Sequence, residues 1–96
     1  MLRGPETVKK AVSQIHPRTR GVWIDQDDIR VGRDSTDDEA VWVYVIVPDE
    51  RIDEFYAEWE EIRRNIKATI QAELGDPDVF VYVRMKAASE LEASDS

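Results

Sequence analysis

The chain has 96 residues, no cysteine and a formal net charge of −8 at pH 7. Its length predicts one domain with a small core, and the lack of cysteine excludes disulfides and thiolate-based zinc or redox sites. The acidic balance argues against broad attraction to nucleic acid or anionic lipid. No stretch has the roughly 20 apolar residues of a membrane span, and MLRGPETVKK lacks the apolar segment of a signal peptide, so we expect a soluble, cytoplasmic protein.

The first helix is predicted over residues 5–15. Val8, Val12 and Ile15 recur at helical spacing, and Pro17 forces the helix to stop. Its apolar stripe is narrow, so we expect it to lie across one end or edge of a sheet.

The next segment predicts one bent strand. Val22 and Ile24 alternate in one phase, whereas Ile29 and Val31 alternate in the opposite phase. An extra residue must therefore lie between them, and we predict one bent strand with a β-bulge near residues 26–28 in preference to the alternative of two short strands joined by a turn.

Residues 40–47, AVWVYVIV, predict the partner strand of a hairpin, reached through the polar loop GRDSTDDE. Pro48 ends this strand, and Asp49 is placed to cap the helix that follows. That second helix has the strongest pattern in the chain, with an apolar stripe from Ile52 to Leu74 and a stop signal at GDP.

Residues 79–83, VFVYV, predict the last strand, and residues 87–96 predict a disordered acidic tail. The order α-β-β-α-β indicates an α+β fold in a single domain, residues 1–86. We expect one three-stranded sheet with the long second helix packed on one face.

Both faces of the predicted strands are apolar. Trp42, Tyr44, Phe80 and Tyr82 fall on one face and valines on the other. The first helix is too short to cover a whole face, so several hundred Å² of apolar surface would stay exposed, a size that usually marks an interaction site. We therefore predict a homodimer or a docked accessory protein. In the alternative arrangement, the two helices cover opposite faces and the monomer is complete.

Five cations are candidates for an anion or RNA contact: Arg18, Arg20, Arg63, Arg64 and Lys67. They could converge into a local basic patch despite the acidic total. The alternative is a solvated scatter of charges.

No catalytic or metal signature is found in the sequence. The loops DQDD and DSTDDE hold carboxylates suited to Ca²⁺ or Mg²⁺ but lack EF-hand spacing. His16 is the only histidine, and the four glycines stand apart, so no phosphate-cradling loop is present. We predict no enzymatic activity, no metal site and no cofactor.

The element order, with IRVGR leading through a loop into WVYVIV and then a long helix, resembles two known families. One is the cytoplasmic C-terminal domain of cation diffusion facilitators, which implies a metal-regulated dimerisation module. The other is ribosome-binding factor A, which implies a KH-like contact with RNA. Each likeness would cover most of residues 5–85 but is one of element order, which does not transfer function.

Our leading hypothesis is a small non-catalytic interaction module that self-associates or docks a partner through an aromatic sheet face. The alternative is a KH-like protein that contacts RNA or the ribosome through the five cations.

Overall fold

The computed structural model describes the backbone of residues 5–93 and the side chains of residues 6–90. In chain order its elements are α1 (Pro5–Val12), β1 (Trp23–Ile24), β2 (Arg30–Arg33), β3 (Glu39–Val47), α2 (Ile52–Leu74), β4 (Phe80–Ala87) and α3 (Ala88–Ala93). Short 3₁₀ turns cover Gln26–Asp28 and Asp49–Arg51. The α+β class is confirmed. No helix in the described part of the chain is long and apolar enough to cross a membrane.

The sheet is built around β3. β1 and β2 pair antiparallel with β3, and β4 pairs parallel with it from Ala40↔Phe80 to Val47↔Ala87. β4 pairs with one edge of β3 along this whole length. β1 and β2 therefore both pair with the opposite edge of β3, one after the other. β4 is therefore an edge strand of a mixed sheet.

The interruption predicted near residues 26–28 is larger than a one-residue bulge. Ile24 pairs with Val45 and Arg30 pairs with Trp42. The chain therefore advances six residues, from Ile24 to Arg30, beside only three residues of β3. A 3₁₀ turn takes up the excess, and the Asp25 side chain accepts a hydrogen bond from Asp27 N at 3.0 Å within it. The predicted bent strand is thus two short strands, which gives the sheet four strands rather than three.

The second helix ends as predicted and begins differently. Gly75 adopts a left-handed φ of 66°, and its N–H donates to the Ala72 carbonyl at 3.2 Å, so the carbonyls of the last turn are satisfied. At the other end the helix starts from the 3₁₀ turn, without a side-chain cap from Asp49. The Asp49 carboxylate instead accepts a hydrogen bond from Ser89 N at 3.0 Å, in the first turn of α3.

The helices α1 and α2 pack on the same face of the sheet. Val41, Val43, Val45 and Val47 are all fully buried on that face. They share one hydrophobic core with Val8, Ala11 and Val12 of α1 and with Phe55, Ile62, Ile66 and Ile70 of α2. The arrangement in which the helices cover opposite faces is therefore not the one adopted.

The C-terminal segment differs from the predicted tail. β4 continues to Ala87, and a helix follows over Ala88–Ala93. The Asp49 to Ser89 hydrogen bond and the half-buried Ala87 and Ala88 tie the start of this helix to the domain. Residues 94–96 of the predicted tail lie outside the described residues.

Candidate interaction surface

The second face of the sheet carries the large rings. Residues that are register partners in a sheet point to the same side, so Trp42 and Tyr82 share a face. Phe80 and Tyr44 join them by alternation along their strands. Trp23, the register partner of Ile46, falls on this side as well. We call these five aromatic residues the aromatic face.

Three of the rings form a stack. The centroids of Trp42 and Tyr82 lie 5.7 Å apart with planes 19° from parallel, and those of Tyr82 and Phe80 lie 6.4 Å apart at 21°. The Trp42 ring also extends over the Gly32 backbone, since a Cβ built at Gly32 would lie 3.9 Å from it. Trp42 and Tyr82 are half-buried by these contacts, whereas Phe80 remains 47% exposed.

The opposite end of the aromatic face holds Trp23, which is 46% exposed. Between its register partners Trp23 and Lys86, Ile46 is fully buried. The Lys86 ammonium lies 4.1 Å from the Tyr44 ring centroid, a cation–π contact. The exposed apolar surface is thus concentrated at the two ends of the face.

Charges of both signs border the aromatic face. Asp28 lies 3.3 Å from the Arg30 guanidinium and 3.6 Å from the Lys86 ammonium. At the Phe80 end, the Tyr82 hydroxyl donates to Asp34 Oδ2 at 3.0 Å. The border is therefore nearly balanced in charge, unlike the chain as a whole.

Asp34 also holds the β2–β3 hairpin loop in shape. Its Oδ1 accepts hydrogen bonds from the Thr36 hydroxyl at 2.7 Å and from Asp38 N at 3.1 Å. The Thr36 hydroxyl bond is the largest influence on the pKa of Asp34 and lowers it; desolvation, the next largest, opposes this, and the bonds from Asp38 N and the Tyr82 hydroxyl add to the lowering. The same hydrogen bond, in which the Tyr82 hydroxyl donates to Asp34, raises the pKa of Tyr82. This carboxylate links the hairpin loop to β4.

The five candidate cations do not form one patch. Arg18 contacts Glu61 at 2.6 Å and the buried Glu58 at 3.7 Å, on one flank of α2. Arg63 pairs with Glu60 at 2.9 Å and lies over the Trp59 ring at 5.8 Å, on the other flank. Arg20 is exposed.

Arg64 and Lys67 lie with Arg63 beside a groove of about 690 Å³ between α2 and β4. Arg84 lines the same groove from β4, and Trp59 lines it from the helix. Among the side chains at residues 6–90, no ion pair is found for Arg64, Lys67 or Arg84. We call this feature the edge groove, because it runs along residues 81–85 of the edge strand.

Sequence reasoning missed Trp23 and Glu58. Trp23 alternates with Val22 and Ile24, and this alternation was the signal that it faces away from the core. Glu58 falls between Phe55 and Ile62 on the apolar stripe of α2, a position where a carboxylate needs partners.

Glu58 finds those partners in the loop after α1. It is 5% exposed and accepts hydrogen bonds from Arg18 N at 2.6 Å, Thr19 N at 2.9 Å and the Thr19 hydroxyl at 2.8 Å. Burial alone would raise the pKa of Glu58, but these bonds and the Arg18 charge outweigh burial and lower it. Glu58 thus fastens the loop to the helix.

The polar groups of the described side chains are largely engaged within the fold. They include no cluster of three metal-ligating groups, and each of their buried polar atoms has a hydrogen-bond partner. The acidic loop at residues 34–38 uses its carboxylates in its own turn, as the Asp34 bonds illustrate. His16 is exposed.

Comparison with known proteins yields no relative: no family model, no curated protein and no solved structure matches the chain.

Proposed function

We propose that this chain is a non-catalytic interaction module that self-associates through its aromatic face. The observation that carries the proposal is the placement of α1 and α2 on the valine face, so that within residues 5–93 the five aromatic residues have no helical layer from these two helices. A sheet with one helical layer and one apolar open face can complete its second layer with another sheet.

The exposed rings supply the driving force. Trp23 and Phe80 keep nearly half of their surface in water. Burying this surface at about 25 cal/mol per Å² would stabilise a complex by a few kcal/mol. Aromatic side chains, Trp and Tyr above all, also contribute much of the binding energy at protein interfaces.

The balanced border favours a second copy of the chain as the partner. An isologous interface brings each residue of one copy against a different residue of the other, so a face with both signs can satisfy itself. Arg30, Arg84 and Lys86 supply the cations, and Asp28 and Asp34 supply the anions.

The size of the face sets the strength of association. Nine residues of β3 at about 3.3 Å each and three strand positions about 4.8 Å apart give roughly 400 Å² per copy. A stable interface buries about 800 Å² per partner. We therefore expect a reversible dimer with a dissociation constant in the micromolar range or weaker.

The alternative, an RNA contact through the five cations, has less support. Arg18 is neutralised by two glutamates and lies across α2 from Arg63, Arg64 and Lys67. The net charge of −8 also opposes association with a polyanion.

Sedimentation velocity over a wide concentration range tests the proposal. The native chain should shift from monomer to dimer as concentration rises, and Trp23→Ser with Phe80→Ser should weaken the dimer about tenfold or more. Tyr56→Ser is the matched control, because Tyr56 is an aromatic with 59% exposure on α2, away from this face.

A monomer at every concentration, or a dimer that survives the double substitution, would contradict the proposal. Far-UV circular dichroism of each variant checks that the fold is retained.

A further inference from the structure

We propose that the edge groove binds an extended acidic peptide of a partner protein, which adds to the sheet as a strand beside β4. The edge groove meets the aromatic face at Tyr82 but lies mainly between α2 and β4, and the proposal does not depend on self-association.

The edge of β4 supplies the backbone half of the site. In the part of the chain that the structure describes, β4 pairs with β3 on one side only, so its outer edge presents N–H and C=O groups with no strand partner there. Five consecutive residues of β4, 81–85, line the groove. Successive strand residues point to opposite faces, so a groove that includes all five runs along the edge of the strand. Eight residues of β4 extend about 26 Å, enough for a peptide of similar length.

The cations supply the specificity. Arg64 and Lys67 project from α2 beside the edge of β4, whereas Arg84, the register partner of Tyr44, points to the aromatic side of the sheet. Among the side chains at residues 6–90, Arg64 and Lys67 have no ion-pair partner, so cationic charge is concentrated here even though the net charge of the chain is −8. A strand added beside β4 would direct alternate side chains toward α2, where carboxylates at those positions would meet the guanidinium and ammonium groups.

The same charges disfavour two other occupants. A second copy pairing through its own β4 would bring one pair of Arg64 and Lys67 toward another, and like charges repel. A nucleic acid would match the cations but would leave the strand edge unpaired, because its backbone offers no ladder of amide groups. An acidic peptide satisfies both features.

Fluorescence anisotropy with three labelled eight-residue probes tests the proposal. The first alternates Glu and Val, the second alternates Lys and Val, and the third is the Glu-Val peptide N-methylated at alternate amides. We expect binding of the first probe at low salt, no binding of the second, and binding of the third weakened about tenfold or more, because N-methyl groups block ladder pairing.

Charge reversal locates the site. Arg64→Glu with Lys67→Glu should weaken binding of the Glu-Val peptide about tenfold or more, since it replaces attraction by repulsion. Lys10→Glu with Arg20→Glu changes the net charge equally at exposed positions outside the groove, and should leave most of the binding intact. Trp23→Ser should bind the peptide normally, which separates this site from the aromatic face.

Three outcomes would overturn the proposal. The first is no binding of the Glu-Val peptide at low salt. The second is equal binding of the N-methylated peptide, which would reduce the groove to a simple cation cluster. The third is tighter binding of a uridine oligonucleotide of matched charge, which would assign the groove to nucleic acid.

Discussion

The two faces of the sheet have similar hydrophobicity and different cover. On the helix side, the four valines of β3 have no exposure to solvent. On the aromatic side, Phe80 is 47% exposed and Trp23 is 46% exposed, although both are larger and as apolar. The composition of the strands therefore sets how much apolar surface the sheet carries. The placement of the helices decides which part of that surface is buried.

The two phenylalanines of the chain give the largest test of this contrast. Phe55 is fully buried and Phe80 is half exposed. Phe55→Ala should lower the free energy of unfolding by about 3–5 kcal/mol through the cavity it creates, whereas Phe80→Ala should lower it by about 1 kcal/mol or less. Urea denaturation of both variants at low concentration measures the two values.

If Phe55→Ala fails to fold, Phe55→Leu keeps the comparison measurable, with an expected loss of about 1 to 1.5 kcal/mol. Equal losses at positions 55 and 80 would contradict the assignment of the two faces.

Glu58 tests the polar anchor of the covered face. Its pKa is lower in the folded chain than in the unfolded chain, so its stabilisation is complete above the unfolded-state pKa of about 4.3. The stabilisation is lost as pH falls through the lowered folded-state pKa. Glu58→Gln should therefore cost about 2–3 kcal/mol at neutral pH and much less in acid, as measured by denaturation at both pH values.

Glu61→Gln is the control for Glu58. Its carboxylate is half exposed and contacts the same Arg18, so screening by water should keep the loss below about 1 kcal/mol at either pH. A loss at Glu58 that is independent of pH would contradict the role of its charge.

Substitution of Tyr82, at the border of the aromatic face, should give the smallest change in the free energy of unfolding. Tyr82→Phe removes the hydroxyl that donates to Asp34, and should lower the free energy of unfolding by about 1 kcal/mol. Tyr56→Phe, at an exposed ring, should have almost no effect. Equal losses would show that the hydroxyl of Tyr82 does not anchor the hairpin loop.

The sequence by itself determined the elements and their faces. Helical spacing from Ile52 to Leu74 and the Gly75 stop predicted α2 closely, and period-two alternation assigned the valines and the rings to opposite sides of β3. These signals are local, because each depends on residues within a few positions of one another. The predicted end of the first helix at residue 15 and the predicted disorder from residue 87 were less accurate. Short segments depend on distant contacts, such as the hydrogen bond between Asp49 and Ser89.

Only the tertiary structure decided how these elements combine. It placed both helices on the valine face, brought Glu58 against Thr19 across 39 residues, and separated Arg18 from Arg63 on opposite flanks of α2. It also placed Arg64 and Lys67 beside residues 81–85 of β4 in the edge groove. No local pattern encodes these arrangements, because each one depends on the relative position of elements that are far apart in the chain and is fixed by packing of the whole core.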